Sequence, residues 1–477
     1  MSPLLPLLPV LYCGVNAGQS IPGTLLGANG MDSAAGWAIA MYAEEASGRR
    51  GELTRLLQEC GLGVLRLPGG TCANFFFWDS EAKTREAAQV VGMANWSPHP
   101  VNHMYSYYVS FDQCAAFCRD AGVRLIWQLN TATVHDRKGL HLLAVSPRAN
   151  DLLPAAKYDH GEKLAVAADS VRCFARHIKA SGLPVPLFEM GNEEYGYPAL
   201  DPLRYSQIVR AYIDVLRQEL PGCAVLVTLG DNQMVKDEKM RGWAETLLPD
   251  LASHGYTDKV DYFTLHYAWR SVCEYAVGLL DRHGFTRSKL AVTEFTCGWP
   301  DYWDKTPRYR HAVQVAEFVL DLLAVPRVEI ACIHDLLSQS FGVFHYNQRS
   351  FEPPDDRSYD GRLGYMATPT ARAYALMRPL AGATLLSASA QLAEARRDGR
   401  YLAVLTNGSD APRQCRLAPS AHGLVAATAT LTLMTGDSPE ATEARLETHE
   451  LQPVAGEFVV TLPPLSVARI EAAKPPS

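Results

Sequence analysis

Eleven cysteines in 477 residues fall into none of the short paired spacings that mark a zinc site or a disulfide framework. A dense stripe of Lys and Arg is also missing, and the formal net charge is -7, so nucleic acid is not the expected partner. No apolar run is long enough to span a bilayer. Residues 1–10 alternate Leu with Pro3, Pro6 and Pro9 and carry no basic leader, which fits an extended arm better than a secretion signal or an anchor. No internal repeat or low-complexity tract is present. These absences predict a cytoplasmic protein that meets neither membrane nor nucleic acid and works on a small polar or neutral substrate.

The composition, 48% hydrophobic and 20% charged, is that of a chain able to bury a sizeable core. Its length favours a barrel-sized domain with a smaller companion. Short β-rich apolar runs alternate with longer amphipathic segments, the pattern of parallel strands joined by crossover helices. Strands are predicted at 11–15, 64–67, 125–129, 187–190, 224–228, 262–266, 290–294 and 328–334. Helices are predicted at 52–60, 162–179, 205–219 and 312–324, with Gly61 and Gly182 suited to two of their ends. Eight strands favour closure. The fold class read here is α/β: a (β/α)₈ TIM barrel over 1–380, ending in a helix at 370–380. Beyond it, short alternating strands at 401–406, 428–434 and 458–462 predict a β-sandwich over 381–477. Cys114 and Cys118, four apart on a predicted helix, read as packing groups. The aromatic-rich stretch 74–108 is long for a βα connection and is expected on the catalytic face.

Two strand ends carry chemistry. Phe188-Glu189-Met190-Gly191-Asn192-Glu193 runs an apolar strand into an amide and a carboxylate, and Leu290-Ala291-Val292-Thr293-Glu294-Phe295 does the same with Glu294. Breaking a glycosidic bond needs one carboxyl to protonate the departing oxygen and another to stabilise or trap the sugar carbon, so this is the minimum pair. A nearby Arg would keep the trapping carboxylate ionised. Glu194 lies beside Glu193 and is expected to begin the following loop with Tyr195.

The pair resembles that of clan A glycoside hydrolases, which retain anomeric configuration. The resemblance extends to Leu65-Arg66-Leu67-Pro68-Gly69-Gly70 and to His266-Tyr267, and within the clan it is nearest α-L-arabinofuranosidases, with β-xylosidases and β-glucuronidases alongside. It implies Glu193 as acid/base, Glu294 as nucleophile and Asn192 as donor to the sugar 2-hydroxyl, with Arg66, His266 and Tyr267 orienting Glu294. Phe295 after the nucleophile, and Thr71-Cys72 after the Pro-Gly-Gly turn, depart from the relatives. Asn74 and Asn130 stand as sugar-binding candidates or turn formers, Trp299 and Trp303 as stacking or packing groups, and Trp127 as core. The implied substrate is an oligosaccharide or glycoside cleaved at a terminal furanosyl or pyranosyl unit, with no cofactor and no metal. Two other readings remain open: a metal-dependent barrel hydrolase using His266, His334, Asp335 and a glutamate, and a catalytically inactive carbohydrate-binding barrel.

Overall fold

A computed structural model describes residues 17–30, 50–90, 108–136, 139–143, 160–196, 201–297, 308–336, 342–346 and 365–472. Eight parallel strands close into a barrel: β1 (Leu26–Asn29), β2 (Val64–Leu67), β3 (Arg124–Leu129), β4 (Leu187–Met190), β5 (Val225–Asp231), β6 (Tyr262–His266), β7 (Lys289–Phe295) and β8 (Val328–Ile333). Each strand pairs with its sequence neighbours, and β1 closes the ring with Leu26 opposite Ala331 of β8 and Gly27 opposite Val64 of β2. Val64, Ile126, Leu187, Leu226, Ala291, Ile330 and Cys332 pack as one apolar group contributed by six of the strands, a filled interior rather than a pore.

The outer helices are α1 (Arg50–Cys60), α2 (Glu81–Val90), α3 (Phe111–Ala121), α4 (His160–Ser181), α5 (Pro202–Glu219), α6 (Glu238–Ser253), α7 (Arg270–Arg282), α8 (Tyr309–Leu323) and α9 (Pro369–Met377). Local sequence starts several of them. Ser110 and Gln113 form a capping box on α3, and Asp201 accepts from the N–H groups of Leu203 and Arg204 ahead of α5, whose first residue is proline. Cys114 and Cys118 are buried on α3, where burial pushes both thiols up. No helix among the described residues is long and apolar enough to cross a membrane.

Seven of the predicted barrel strands match within three residues at each end. The first does not: 11–15 lies outside the described residues, and the barrel begins at Leu26–Asn29. That four-residue run, Leu-Gly-Ala-Asn, has little intrinsic strand character. It is a strand because of where it packs: a Cβ on Gly27 would lie 2.6 Å from Cys332 Sγ and 2.7 Å from Val64 Cγ1. Only glycine fits the closing seam.

After a 3₁₀ turn at Arg378–Leu380 the chain becomes antiparallel: β9 (Thr384–Ser389), β10 (Leu392–Arg397), β11 (Arg400–Asn407), β12 (Arg413–Leu417), β13 (Ala429–Thr435), β14 (Arg445–Leu451), β15 (Phe458–Leu462) and β16 (Ser466–Ala472). The six-stranded sheet β9-β10-β11-β16-β13-β14 faces the pair β12-β15 across Leu405, Leu417, Phe458, Val460, Leu462 and Ile470. This is the expected C-terminal sandwich. Residues 18–21, ahead of β1, pair with its first strand: Gly18 N–H donates to Leu385 O and Ile21 N–H to Ala383 O, both at 2.8 Å.

Candidate active site

The C-terminal ends of β2, β4, β6 and β7 bring Arg66, Asn192, Glu193, His266, Tyr267 and Glu294 together. Arg66 is the hub. Fully buried, it donates from Nη1 to Glu294 Oε1 at 2.7 Å and from Nη2 to Asn192 Oδ1 at 2.8 Å. It also grips Glu189 through Nε and, at 3.2 Å, through Nη2. Burial opposes the guanidinium charge, but the carboxylates of Glu189 and Glu294 more than offset it, so Arg66 stays ionised. Burial alone would raise Glu294 as well. The charges of His266 and Arg66 overcome it and hold Glu294 at about 2.

His266 bridges the two candidate carboxyls. Its Nδ1 lies 2.8 Å from Glu193 Oε1 and 3.6 Å from Glu294 Oε2. Burial disfavours its protonation, yet Glu294 and Glu193 raise its pKa above the ordinary value. Tyr267 donates its hydroxyl to Glu294 Oε2 at 3.5 Å and its backbone N–H to the Glu294 carbonyl at 2.7 Å. Glu193 and Tyr267 both sit at φ 51, a left-handed conformation that non-glycine residues seldom adopt and that clusters at functional sites.

One ligand atom each from Glu193, His266 and Glu294 lie within 4.8 Å of one another. The carboxyls are therefore close and on one barrel face, with Glu294 buried and the Glu193 side chain 31% exposed. These three residues could hold a cation. His334 Nε2 is 3.9 Å from Glu294 Oε2, but among the described residues neither His334 nor Asp335 joins that cluster.

Other sequence candidates are placed differently. Asn74 Nδ2 donates to the Asn192 carbonyl at 2.7 Å, and its Oδ1 accepts from the Asn192 N–H at 2.8 Å, so it holds the backbone of the Asn-Glu pair. Asn130 commits its amide to its own turn, with Oδ1 accepting from the N–H groups of Ala132 and Thr133 and Nδ2 donating to Thr133 Oγ1. Trp127 is core. Trp299 and Trp303 lie outside the described residues.

The sequence reading passed over two buried polar residues here, Glu189 and Gln128, and did not foresee the burial of a third, Glu194. Glu189 takes the far side of Arg66 and accepts from Thr293 Oγ1 at 3.0 Å. Gln128 accepts from Gly69 N–H at 2.7 Å and donates to Asn192 Oδ1 at 3.3 Å, tying the Pro-Gly-Gly turn to the end of β4. Glu194 begins the turn as expected, but its side chain is entirely buried. A carboxylate or amide inside an otherwise apolar strand was the available signal for Glu189 and Gln128, since such a group is buried only with a partner.

The architecture defines the class: an eight-stranded βα barrel with an appended β-sandwich and a carboxylate pair at the strand C-terminal face. No protein-family model matches the sequence, and no curated protein matches it. Solved structures do. A family 51 α-L-arabinofuranosidase from Bifidobacterium longum superposes with a TM-score of 0.65 at 13% identity, over 96% of this chain and 97% of that one. A family 30 endoxylanase from Clostridium papyrosolvens gives 0.58 at 13%, over 96% and 98%, and a monomeric β-xylosidase from Caulobacter crescentus 0.57 at 14%, over 96% and 98%. At such identities the likeness establishes a shared fold.

Proposed function

We propose that this chain is a retaining glycoside hydrolase of the clan A kind, similar to α-L-arabinofuranosidases, with residues 1–380 as its catalytic unit. One observation carries the reading: a buried, Arg66-held carboxylate, Glu294, stands beside a more exposed carboxyl, Glu193, with His266 between them. In a retaining enzyme the two carboxyl groups are only about 5–5.5 Å apart, whereas inversion needs room for a water at about 6.5–9.5 Å; oxygens within 4.8 Å favour retention.

In the proposed reaction Glu294 attacks the anomeric carbon as Glu193 gives its proton to the departing oxygen. Glu193 then takes a proton from the water that releases the sugar from Glu294. Asn192 has its side-chain oxygen Oδ1 pinned on Arg66, which leaves the side-chain amide nitrogen as the donor for a sugar hydroxyl. Arg66, with Tyr267, keeps the nucleophile ionised and aimed. The substrate is an oligosaccharide or glycoside attacked at a terminal furanosyl or pyranosyl unit. Nine of the described cysteines are free thiols, which supports a cytoplasmic setting.

A panel of aryl glycosides tests this. Wild type hydrolyses at least one member, and Glu294→Gln loses at least about 10³-fold in kcat while still binding. Retention of more than about a tenth of wild-type turnover would remove Glu294 from the chemistry. EDTA leaves the rate unchanged. Activity lost to EDTA and restored by zinc would instead make Glu193, His266 and Glu294 metal ligands.

A further inference from the structure

Two carboxyls stand side by side after β4, and the proposed reaction uses one. Glu194 folds its side chain back beneath the backbone it follows. Its Oε1 accepts from the Asn192 N–H at 2.6 Å and from the Thr131 hydroxyl at 2.7 Å, while its Oε2 is buried without a hydrogen bond. The space exists because residue 191 is glycine: its φ is +73°, and a Cβ there would lie 1.5 Å from Glu194 Oε1 and 2.3 Å from Thr131 Oγ1. Burial raises the Glu194 carboxyl to about 7, against the pull of the Thr131 and backbone hydrogen bonds. A half-satisfied buried carboxyl is costly, and an apolar side chain would avoid that cost. What this one touches is the peptide on which the Asn-Glu pair is mounted.

We infer that Glu194 is a positioning residue for the acid/base: with Asn74 it grips the Asn192 N–H from beneath the turn, fixing the left-handed backbone of Glu193 so that the Glu193 carboxyl meets His266 and the cleft. The inference rests on Glu193 being the acid/base. The shared N–H, 2.6 Å from Glu194 and 2.8 Å from Asn74, immediately precedes the φ 51 residue. Loosening it lets Glu193 turn towards ordinary backbone angles and carries its carboxyl off line. Displacement of about 1 Å at a reacting group costs on the order of 10²-fold. The loss falls mainly on substrates that need a proton to depart.

The test compares Glu194→Ala, Glu194→Gln and Glu193→Ala in the full chain, reading kcat/KM on an alkyl glycoside and on a dinitrophenyl glycoside of the same sugar. Glu194→Ala should lose about 10- to 100-fold on the alkyl glycoside and less than about 3-fold on the dinitrophenyl one. Azide gives it no gain, because the Glu193 side chain, though misaligned, still occupies the cleft and its charge repels the anion. Glu194→Gln keeps both values within about 3-fold, since its amide oxygen accepts the same two hydrogen bonds. If Glu194→Ala does not fold, Glu194→Asp, one methylene short of the Asn192 N–H, shows the same split. Equal loss on both substrates, no loss at all, or a Gln variant as impaired as Ala overturns the inference. Failure of the underlying assignment appears separately, as a Glu193→Ala variant with neither leaving-group dependence nor azide rescue.

Discussion

Glu193 and Tyr267 occupy the left-handed region at φ 51, where a β-carbon costs about 1–2 kcal/mol. The usual ranking of alanine over glycine should therefore invert at position 193. Glu193→Gly and Glu193→Ala both remove the carboxyl, but the glycine variant should be more stable by about 0.5–1 kcal/mol once its larger unfolded-state entropy is subtracted. Paired thermal melts measure this, and equal or reversed stabilities would mean that the backbone relaxes freely there. Glu294 gives a pH signature. Its folded pKa, about 2, lies below the ordinary carboxylate value of about 4.3, so its stabilising contribution is complete above the ordinary value and is lost as pH falls towards 2. The stability of wild type relative to Glu294→Gln should accordingly shrink between about pH 5 and 2. A difference that stays constant over that range would show that the carboxylate is not held ionised by Arg66 and His266.

Legibility divides by chemistry at this scale. Asn192, Glu193 and Glu294 could be marked in the sequence because they close apolar runs, while Arg66, which lies within one, and His266 and Tyr267 stand out through the resemblance. Glu189 and Gln128 sit inside such runs, and their partners lie far along the chain: Arg66 is 123 residues before Glu189, and Gly69 is 59 before Gln128. The sequence places Glu194 in the following loop, but its burial is not legible there, because it depends on the turn at Gly191, which leaves room for the side chain.

Among the elements, the strands with Val, Ile, Leu and Phe in unbroken runs declared themselves, as did the helices with apolar residues at three- and four-residue spacing. The short closing strand β1 did not, since its identity depends on neighbours that are distant in sequence. That dependence can be tested. Gly27→Ala drives a methyl against Cys332 Sγ and Val64 Cγ1 and should cost about 1–3 kcal/mol through overpacking. Adding Cys332→Ala should recover part of the loss by opening one side of the clash, a non-additive result in a denaturant-unfolding cycle. Strict additivity of the two changes would mean that the seam is not packed as described.

For the molecule as a whole, the barrel and sandwich share a wall. Tyr309 of α8 donates its hydroxyl to Met434 O at 2.8 Å and lays its ring against Gly436, where a Cβ would come within 2.5 Å. Glu317 accepts from Gly408 N–H at 2.9 Å, and one apolar cluster runs from α8 and α9 into Leu402, Val404, Met434 and Val467. The two parts should therefore unfold together. All eight tryptophans precede residue 381, so their fluorescence reports the barrel alone, whereas circular dichroism reports both parts. Ile470→Ala, buried wholly within the sandwich, should cost about 2–5 kcal/mol and lower the midpoints of both signals equally. A fluorescence midpoint that stays at the wild-type value would show that the barrel stands alone.

The pairing of residues 18–21 with Ala383–Leu385 has a consequence for the order of events during synthesis. The residues that tether β1 are among the earliest described, yet the strand that receives them is made more than 360 residues later, as the separation of the bridged pair Ser20 and Thr384 gives. On the ribosome, at about 5–20 residues per second, the first stave of the barrel waits at least some 18 seconds for its anchor. α8 and α9 are made only towards the end of that interval, and their faces meant for the sandwich stay bare until Leu402, Val404, Met434 and Val467 follow, which is when an incomplete chain is most exposed to aggregation. A stretch made late thus completes the attachment of one made early.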